Sequence, residues 1–262
     1  MNVRQLAVMT KDIRGVTLNK QVFAVLLIVP LALTIVLPSI FVLVTAFAPD
    51  AASDFQKILD MLPADNGARS QQQRIFGLIL NNIMPVFFLM IPIMASSVMA
   101  ASSFVGEKEK HTLETLLYSP LSLKQMFQAK ILAGFSVGMM VSYISFAAMM
   151  LVLELEVFLL TGKAILPSSS WLAIMLLIAP AISIIAIAVT VRSSAKAQTI
   201  EEAQQRAVFL VFPILALLIG QFTGILLISA GLLWGVGAVL AALDVSLMRG
   251  AAGSFTYEKL LR

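Results

Sequence analysis

Five stretches of this chain run without a single charged side chain: residues 21–49, 75–106, 131–153, 164–191 and 207–243. Only 12% of the 262 residues are charged, against about 25% in soluble domains, so these runs constrain the fold severely. Each of the first four is long enough for one membrane crossing of about 20 residues. Inside hydrocarbon every backbone N–H and C=O must be paired within the protein, so spanning segments are helices or closed barrels. The alternating strands of about ten residues that mark a barrel are not seen. The expectation is an all-α polytopic membrane protein.

The fifth stretch is interrupted by Asp244 but stays apolar to Met248. Residues 207–248 suffice for two spans with almost no loop; one span plus a re-entrant hairpin is the alternative. We take two, turning near Ser229, Ala230 and Gly231. The chain then reads as a single transmembrane domain, 1–262, with about six spans near 22–47, 80–104, 131–153, 171–191, 207–228 and 231–248. Pro30, Pro38, Pro85, Pro92, Pro180 and Pro213 fall within them. They are expected to kink these helices rather than end them, because neighbouring helices and hydroxyls satisfy the freed carbonyls.

With the amino terminus inside, 14 of the 18 lysines and arginines fall in cytoplasmic segments, and only Lys57, Arg69, Arg74 and Lys163 outside. That bias sets orientation and places both termini in the cytoplasm. The net charge of +4 reflects these loops and does not call for nucleic acid. Ala46-Phe47-Ala48 resembles a signal-peptidase site, but the apolar run before it exceeds the about 7–15 residues of a signal core; an uncleaved first span is expected.

Catalytic signatures are missing. There are no cysteines and one histidine, His111, so thiolate chemistry and a multi-histidine metal site within one chain are excluded. Gly106-Glu107-Lys108 lacks the first glycine and the hydroxyl of a phosphate-cradling loop, and no GxSxG or HExxH pattern occurs. The chain is not expected to be an enzyme or to bind a metal or cofactor itself. Any work it does must draw on a partner or an ion gradient.

The most informative segment is 107–122, dense in charge directly after a long apolar run. Leu113, Leu116 and Leu117 recur at i, i+3 and i+4 and form one apolar helix face, while Glu107, Glu109 and Glu114 keep the segment on the aqueous side. Ser119-Pro120 ends that helix. Ser122, with Gln125 three residues on, makes a capping box for the next. An ordinary interfacial loop helix and a docking surface both fit this pattern.

Residues 107–122, from Glu107 through His111, Thr112, Leu113 and Glu114 to Ser119-Pro120, resemble the pattern E-(R/K)-x-x-G-T-L-E-x-L-L-x-(S/T)-P-(L/V)-(S/T). That pattern marks permeases of type-2 ATP-binding-cassette exporters. The similarity continues through Lys130. Lys11-Asp12-Ile13-Arg14 resembles the family's charged amino-terminal helix, and the ending from Phe255 to Leu261 its F-x-R-E-x-L-L. His111 replaces the usual glycine and Tyr257 a usual arginine. The resemblance implies a permease that forms the translocation path in a bacterial or archaeal inner membrane. A second permease, as homodimer or heterodimer, and two copies of a cytoplasmic ATPase would complete the assembly. ATP and magnesium would sit on the ATPase, and 107–122 would supply the coupling helices that meet it.

Other segments carry weaker signals. Thr199 and Glu202 form a capping box, so a helix is expected to start in the loop 192–206, as a solvated lead-in or a second ATPase contact. Val3, Leu6, Ala7, Ile13 and Val16, interleaved with Arg4, Lys11, Arg14 and Lys20, suggest a basic helix on the anionic inner leaflet. Phe55, Ile58, Leu59 and Leu62 suggest a small external helix. Gly134/Gly138 and Gly220/Gly224 permit close helix contact, within the chain or between copies. Asp244 is a carboxylate in a predicted span and a functional candidate by default, although its nearness to Arg249 suggests interfacial exposure or a structural partner. Gln221 either lines a path or makes an interhelical hydrogen bond. An ion-coupled secondary transporter is the alternative function, but it calls for ionisable groups near mid-membrane and internal repeats; only Asp244 offers the former. A membrane-embedded protease lacks its catalytic groups. The apolar spans suit a hydrophobic or amphipathic cargo and equally a path lined by backbone and hydroxyls.

Overall fold

The computed structural model describes residues 2–47, 70–109, 121–194, 197, 199–222 and 230–254. These residues are helical throughout apart from short connections, with no strand among them. The elements in chain order are α1 (Val3–Leu18), α2 (Lys20–Phe47), α3 (Gln71–Leu78), α4 (Met84–Phe88), α5 (Met90–Glu109), α6 (Leu123–Thr161), α7 (Ser169–Ala173), α8 (Ala179–Ser194), α9 (Ile200–Val208), α10 (Val211–Phe222) and α11 (Ala230–Ser254). Four stretches, Lys20–Phe47, Gln71–Glu107, Lys124–Thr161 and Ser169–Ser194, are long and apolar enough to cross a membrane. Val211–Gly220 and Gly231–Asp244 are shorter apolar helices. The all-α, multi-pass membrane architecture expected from the charge-free runs is what the chain adopts. The expected external helix around 55–62 and Ser229 of the expected turn lie outside the described residues, whereas Ala230 and Gly231, also expected in that turn, open α11.

The membrane character shows in which faces are buried. Along α2 the buried positions are Leu26, Pro30, Thr34, Pro38, Val42 and Thr45, a stripe at every third or fourth residue. Val25, Ile28, Val36 and Ile40 on its other faces are exposed, as are Met140, Ile144, Leu151 and Leu155 of α6. Apolar side chains in this number on the outside of a bundle need a hydrocarbon surround. The stretch α3–α5 is the most deeply buried of the four. It runs down the middle of the bundle with α2, α6 and α8 packed around it.

Two of the prolines follow π-helical turns, and there neighbouring helices satisfy the freed carbonyls as expected. A π-helical turn, Ile79–Ile83, precedes Pro85, and a second, Ile174–Ile178, precedes Pro180. In the first, the Met84 N–H bonds the Ile79 carbonyl, five residues back. Pro85 has no N–H to offer the next carbonyl, that of Leu80. The Trp171 indole Nε1 of α7 donates to it instead, at 3.1 Å. In the second turn the Ala179 N–H bonds Ile174 O, Pro180 cannot serve Met175 O, and the Tyr143 hydroxyl donates there at 3.4 Å. Side chains of neighbouring helices thus fill both vacated sites. Trp171 also stacks edge-on with Phe88 at 5.5 Å and lies 5.0 Å from Phe146. Pro213 accounts similarly for the break at Phe209–Leu210 between α9 and α10.

Glycines set the closest contacts. A Cβ at Gly138 would overlap the Ser96 hydroxyl and lie 3.2 Å from Ser96 Cβ, and one at Gly134 would meet Ile187 Cδ1 at 3.3 Å. This glycine pair serves packing of α6 on α5 and α8 within the chain. A Cβ at Gly237 would come within 2.9 Å of Leu177 Cβ, which seats α11 on the second π-turn. Gly162, at φ +69°, ends α6 in the left-handed conformation that favours glycine.

Trp171→Phe keeps an aromatic ring but strands the buried Leu80 carbonyl. We expect a loss of about 1–3 kcal/mol, read as a lowered melting temperature in detergent. Tyr143→Phe removes a longer bond at a half-exposed site and should cost less. Equal melting temperatures for Trp171→Phe and the parent would contradict this account of the turn.

Candidate functional site

One end of the bundle gathers the amino-terminal helix, the last turns of α5, the first turns of α6 and the start of α9. It is called the basic end here, because the lysine and arginine bias falls on it. Local sequence dictates each approach. Ser122 caps α6 as expected: its hydroxyl accepts from Gln125 N–H at 3.3 Å, and Gln125 Oε1 accepts from Ser122 N–H at 3.2 Å. The Thr199 hydroxyl accepts from Glu202 N–H at 3.2 Å and starts α9. Asn2 and Gln5 form a capping box that starts α1.

At the centre of this end is Lys130, whose side chain is only 2% exposed. Its Nζ lies 2.9 Å from Glu107 Oε2 and 3.3 Å from Asp12 Oδ2. It also donates to the Ser103 carbonyl at 2.6 Å and to Ser103 Oγ at 3.1 Å. The Ser103 hydroxyl donates to Asp12 Oδ2. Glu107 has a second cation, since Lys11 Nζ donates to its Oε1 at 2.6 Å. Two ammonium groups and two carboxylates thus alternate from α1 through α5 to α6. Lys130 also rests over the Phe104 ring, 5.2 Å from its centroid, and Phe104 in turn packs on Phe127.

The members differ in weight. Asp12, Glu107 and Lys130 are buried, while the Lys11 side chain is 55% exposed. An exposed ion pair contributes about 0–1 kcal/mol. Removing one partner of a buried pair costs about 3–5 kcal/mol, because the other charge is left uncompensated. The Lys130 bridges therefore define the arrangement, and the Lys11 bridge is an accessory.

The expected site residues are placed as follows. Glu107 is in the cluster. Glu109 is exposed, and its Oε1 accepts from the Ile200 N–H at 3.2 Å, so it caps α9. His111, Thr112, Leu113, Glu114, Leu116, Leu117, Ser119 and Pro120 lie outside the described residues, as does the side chain of Gln221. Asp244 is 5% exposed, and its Oδ1 has no hydrogen-bond partner among the described residues; of exposure and a structural partner, the two readings its nearness to Arg249 suggested, burial removes exposure. The amino-terminal helix is more than a surface helix. Gln5, Asp12 and Val16 are buried, and Gln5 Nε2 reaches Gln125 O and Gln128 Oε1 of α6, both at 3.4 Å. Its opposite face, with Val3, Leu6 and Arg14, stays exposed. The loop before α9 is not simply solvated either: Ala197, Ile200 and Ala203 pack on Ala101 and Val105 of α5.

Sequence reasoning did not single out Asp12, Ser103 and Lys130 as a set. A buried lysine at the foot of a span and an aspartate inside an amphipathic helix were the available signals. No group of three or more metal-ligating side chains occurs among the described residues. What the arrangement can do is hold three helices in register where α5 ends and α6 begins.

A family model described as ABC-2 family transporter protein matches residues 39–201, more than half of the chain. The match takes in the segment 107–122 and Lys130 and leaves out α1. No curated protein matches the chain, and no solved structure does.

Lys130→Met should lower stability far more than Lys11→Ala, by about 3–5 kcal/mol against about 0–1 kcal/mol, measured by thermal unfolding in detergent. Adding Asp12→Asn and Glu107→Gln to Lys130→Met should recover much of the loss, since no uncompensated charge remains. Equal effects of the two single variants would contradict the ranking.

Proposed function

Since the chain belongs to the ABC-2 family of transporter proteins, we propose that it is the permease subunit of an ATP-driven exporter, powered by separate ATPase subunits. The observation that carries this reading is the way 107–122 is mounted. Its first residue, Glu107, is locked by buried charge to α1 and α6, and Glu109 is tied to α9. Its last, Ser122, caps α6 directly. A segment held at both ends by rigid helices transmits force; a loose interfacial loop does not.

In this reading the basic end faces the cytoplasm of a bacterial or archaeal cell, and both termini lie there. Leu113, Leu116 and Leu117 seat in a groove of the ATPase, with the charged residues around them fixing register. Two permeases, identical or not, form the path, and two ATPases bind ATP and magnesium. This chain itself contributes no catalytic group and binds no cofactor. Export is the direction that the motif resemblance supports. Asp244 has a structural role in this scheme, and Asp244→Asn leaves transport intact.

The test is the double variant Leu116→Ala/Leu117→Ala. Each truncation should remove roughly 2–5 kcal/mol if the side chain is fully buried in the complex. Binding of the ATPase that copurifies with the parent chain should fall markedly, and with it ATP turnover. Normal expression with parental ATPase binding and turnover would overturn the assignment of this segment.

A further inference from the structure

The charge cluster and the glycine contact together make a lever, and we propose that the cluster is its latch, with one permanent and one releasable half. The fulcrum is Ser96 against Gly138, where α6 sits so close to α5 that a Cβ at position 138 would overlap the Ser96 hydroxyl. Glu107 lies eleven residues beyond Ser96 along α5, about 16 Å at 1.5 Å per residue. Lys130 lies eight residues before Gly138 along α6, about 12 Å on the same scale. The two helices run antiparallel, so both reach the basic end on the same side of the fulcrum. A small tilt about Ser96/Gly138 therefore opens or closes the gap between Glu107 and Lys130.

The bonds divide the basic end into two bodies. One is α1 with α6, joined by Asp12–Lys130 and by Gln5 to Gln125 and Gln128. The other is α5 with α9, joined by Ala101, Val105, Ala197, Ile200 and Ala203 and by the Glu109 cap. Four kinds of polar or ring contact cross between them here: both carboxylate oxygens of Glu107, the Ser103 bonds, the Lys130 ammonium over the Phe104 ring, and the Phe104–Phe127 contact. Glu107 sits at the last turn of α5, directly before the segment 110–120. A pull on that segment reaches Glu109 and then Glu107, ahead of the rest of the cluster. When the Glu107 bridges part, Lys130 keeps Asp12, so its ammonium is not left without an anion, and Glu107, two residues from the exposed Glu109, is released toward water. This is the property a reversible latch needs, because an unpaired buried charge would make the open state prohibitively costly.

The test uses paired spin labels on the cysteine-free chain in nanodiscs, with distances measured by double electron–electron resonance. Thr10 and Lys124, both exposed, report α1 against α6; Thr10 and Gln205, both exposed, report α1 against α9. In the permease alone, Glu107→Gln should broaden and shift the Thr10–Gln205 distances and leave Thr10–Lys124 unchanged. Lys11→Ala, which keeps the buried bridges, should raise the open Thr10–Gln205 population by about fivefold at most, the weight of one exposed bridge; it serves if Glu107→Gln does not fold. Unchanged Thr10–Gln205 distances in both variants, or parallel shifts in the two label pairs, would overturn the latch. A second arm adds the ATPase and a non-hydrolysable ATP analogue and rests on the proposed function. Thr10–Gln205 should shift there while Thr10–Lys124 stays. A chain that binds no ATPase would refute that function and leave the first arm to decide the latch.

Discussion

A lysine side chain 2% exposed at the foot of a membrane helix cannot be left without anions, and much of the basic end follows from that requirement. An isolated ammonium in a low-dielectric interior is too costly to persist charged, so Lys130 draws in the carboxylates of Asp12 and Glu107 and the oxygens of Ser103. Those groups belong to three helices. Satisfying one charge therefore fixes the amino-terminal helix, the end of α5 and the start of α6 relative to one another. The net charge of the Lys11, Asp12, Glu107 and Lys130 set is zero, which suits a site between membrane and water.

The opposite half of the bundle solves a different problem with neutral groups. Pro85 and Pro180 each vacate a backbone carbonyl in a π-turn, and an indole and a phenol hydroxyl fill the places. Between the two halves lies the tight approach at Gly138 and Ser96. The molecule is thus pinned by hydrogen bonds to backbone at one end and by ion pairs at the other. The ion-paired end is the one adjoining the segment proposed above to meet the ATPase.

Much of this was legible in the sequence. Charge-free runs gave the all-helical membrane fold, capping residues gave the starts of α6 at Ser122 and α9 at Thr199, and Pro85 and Pro180 marked where π-turns interrupt two of the long apolar stretches. The cluster was not legible, because Lys130 and Asp12 lie 118 residues apart and Lys11 and Glu107 lie 96 apart. Each had a sufficient local explanation, as a loop charge or as part of an amphipathic face, and one-dimensional periodicity carries no information on which faces meet. Glu109 shows the same limit: its charge was visible, but its partner, the Ile200 N–H, is 91 residues away. For Asp244 the sequence left exposure and a structural partner both open, and burial removes the first.

The central claim is that this chain does its work by transmitting the action of an ATPase through its basic end. The most direct measurement is native mass spectrometry of the tagged full chain extracted from its own membranes, with ATP turnover assayed on the same preparation. The account predicts a complex of two permease and two ATPase subunits that hydrolyses ATP. A chain that carries no ATPase yet moves cargo in proteoliposomes on an ion gradient alone would contradict it.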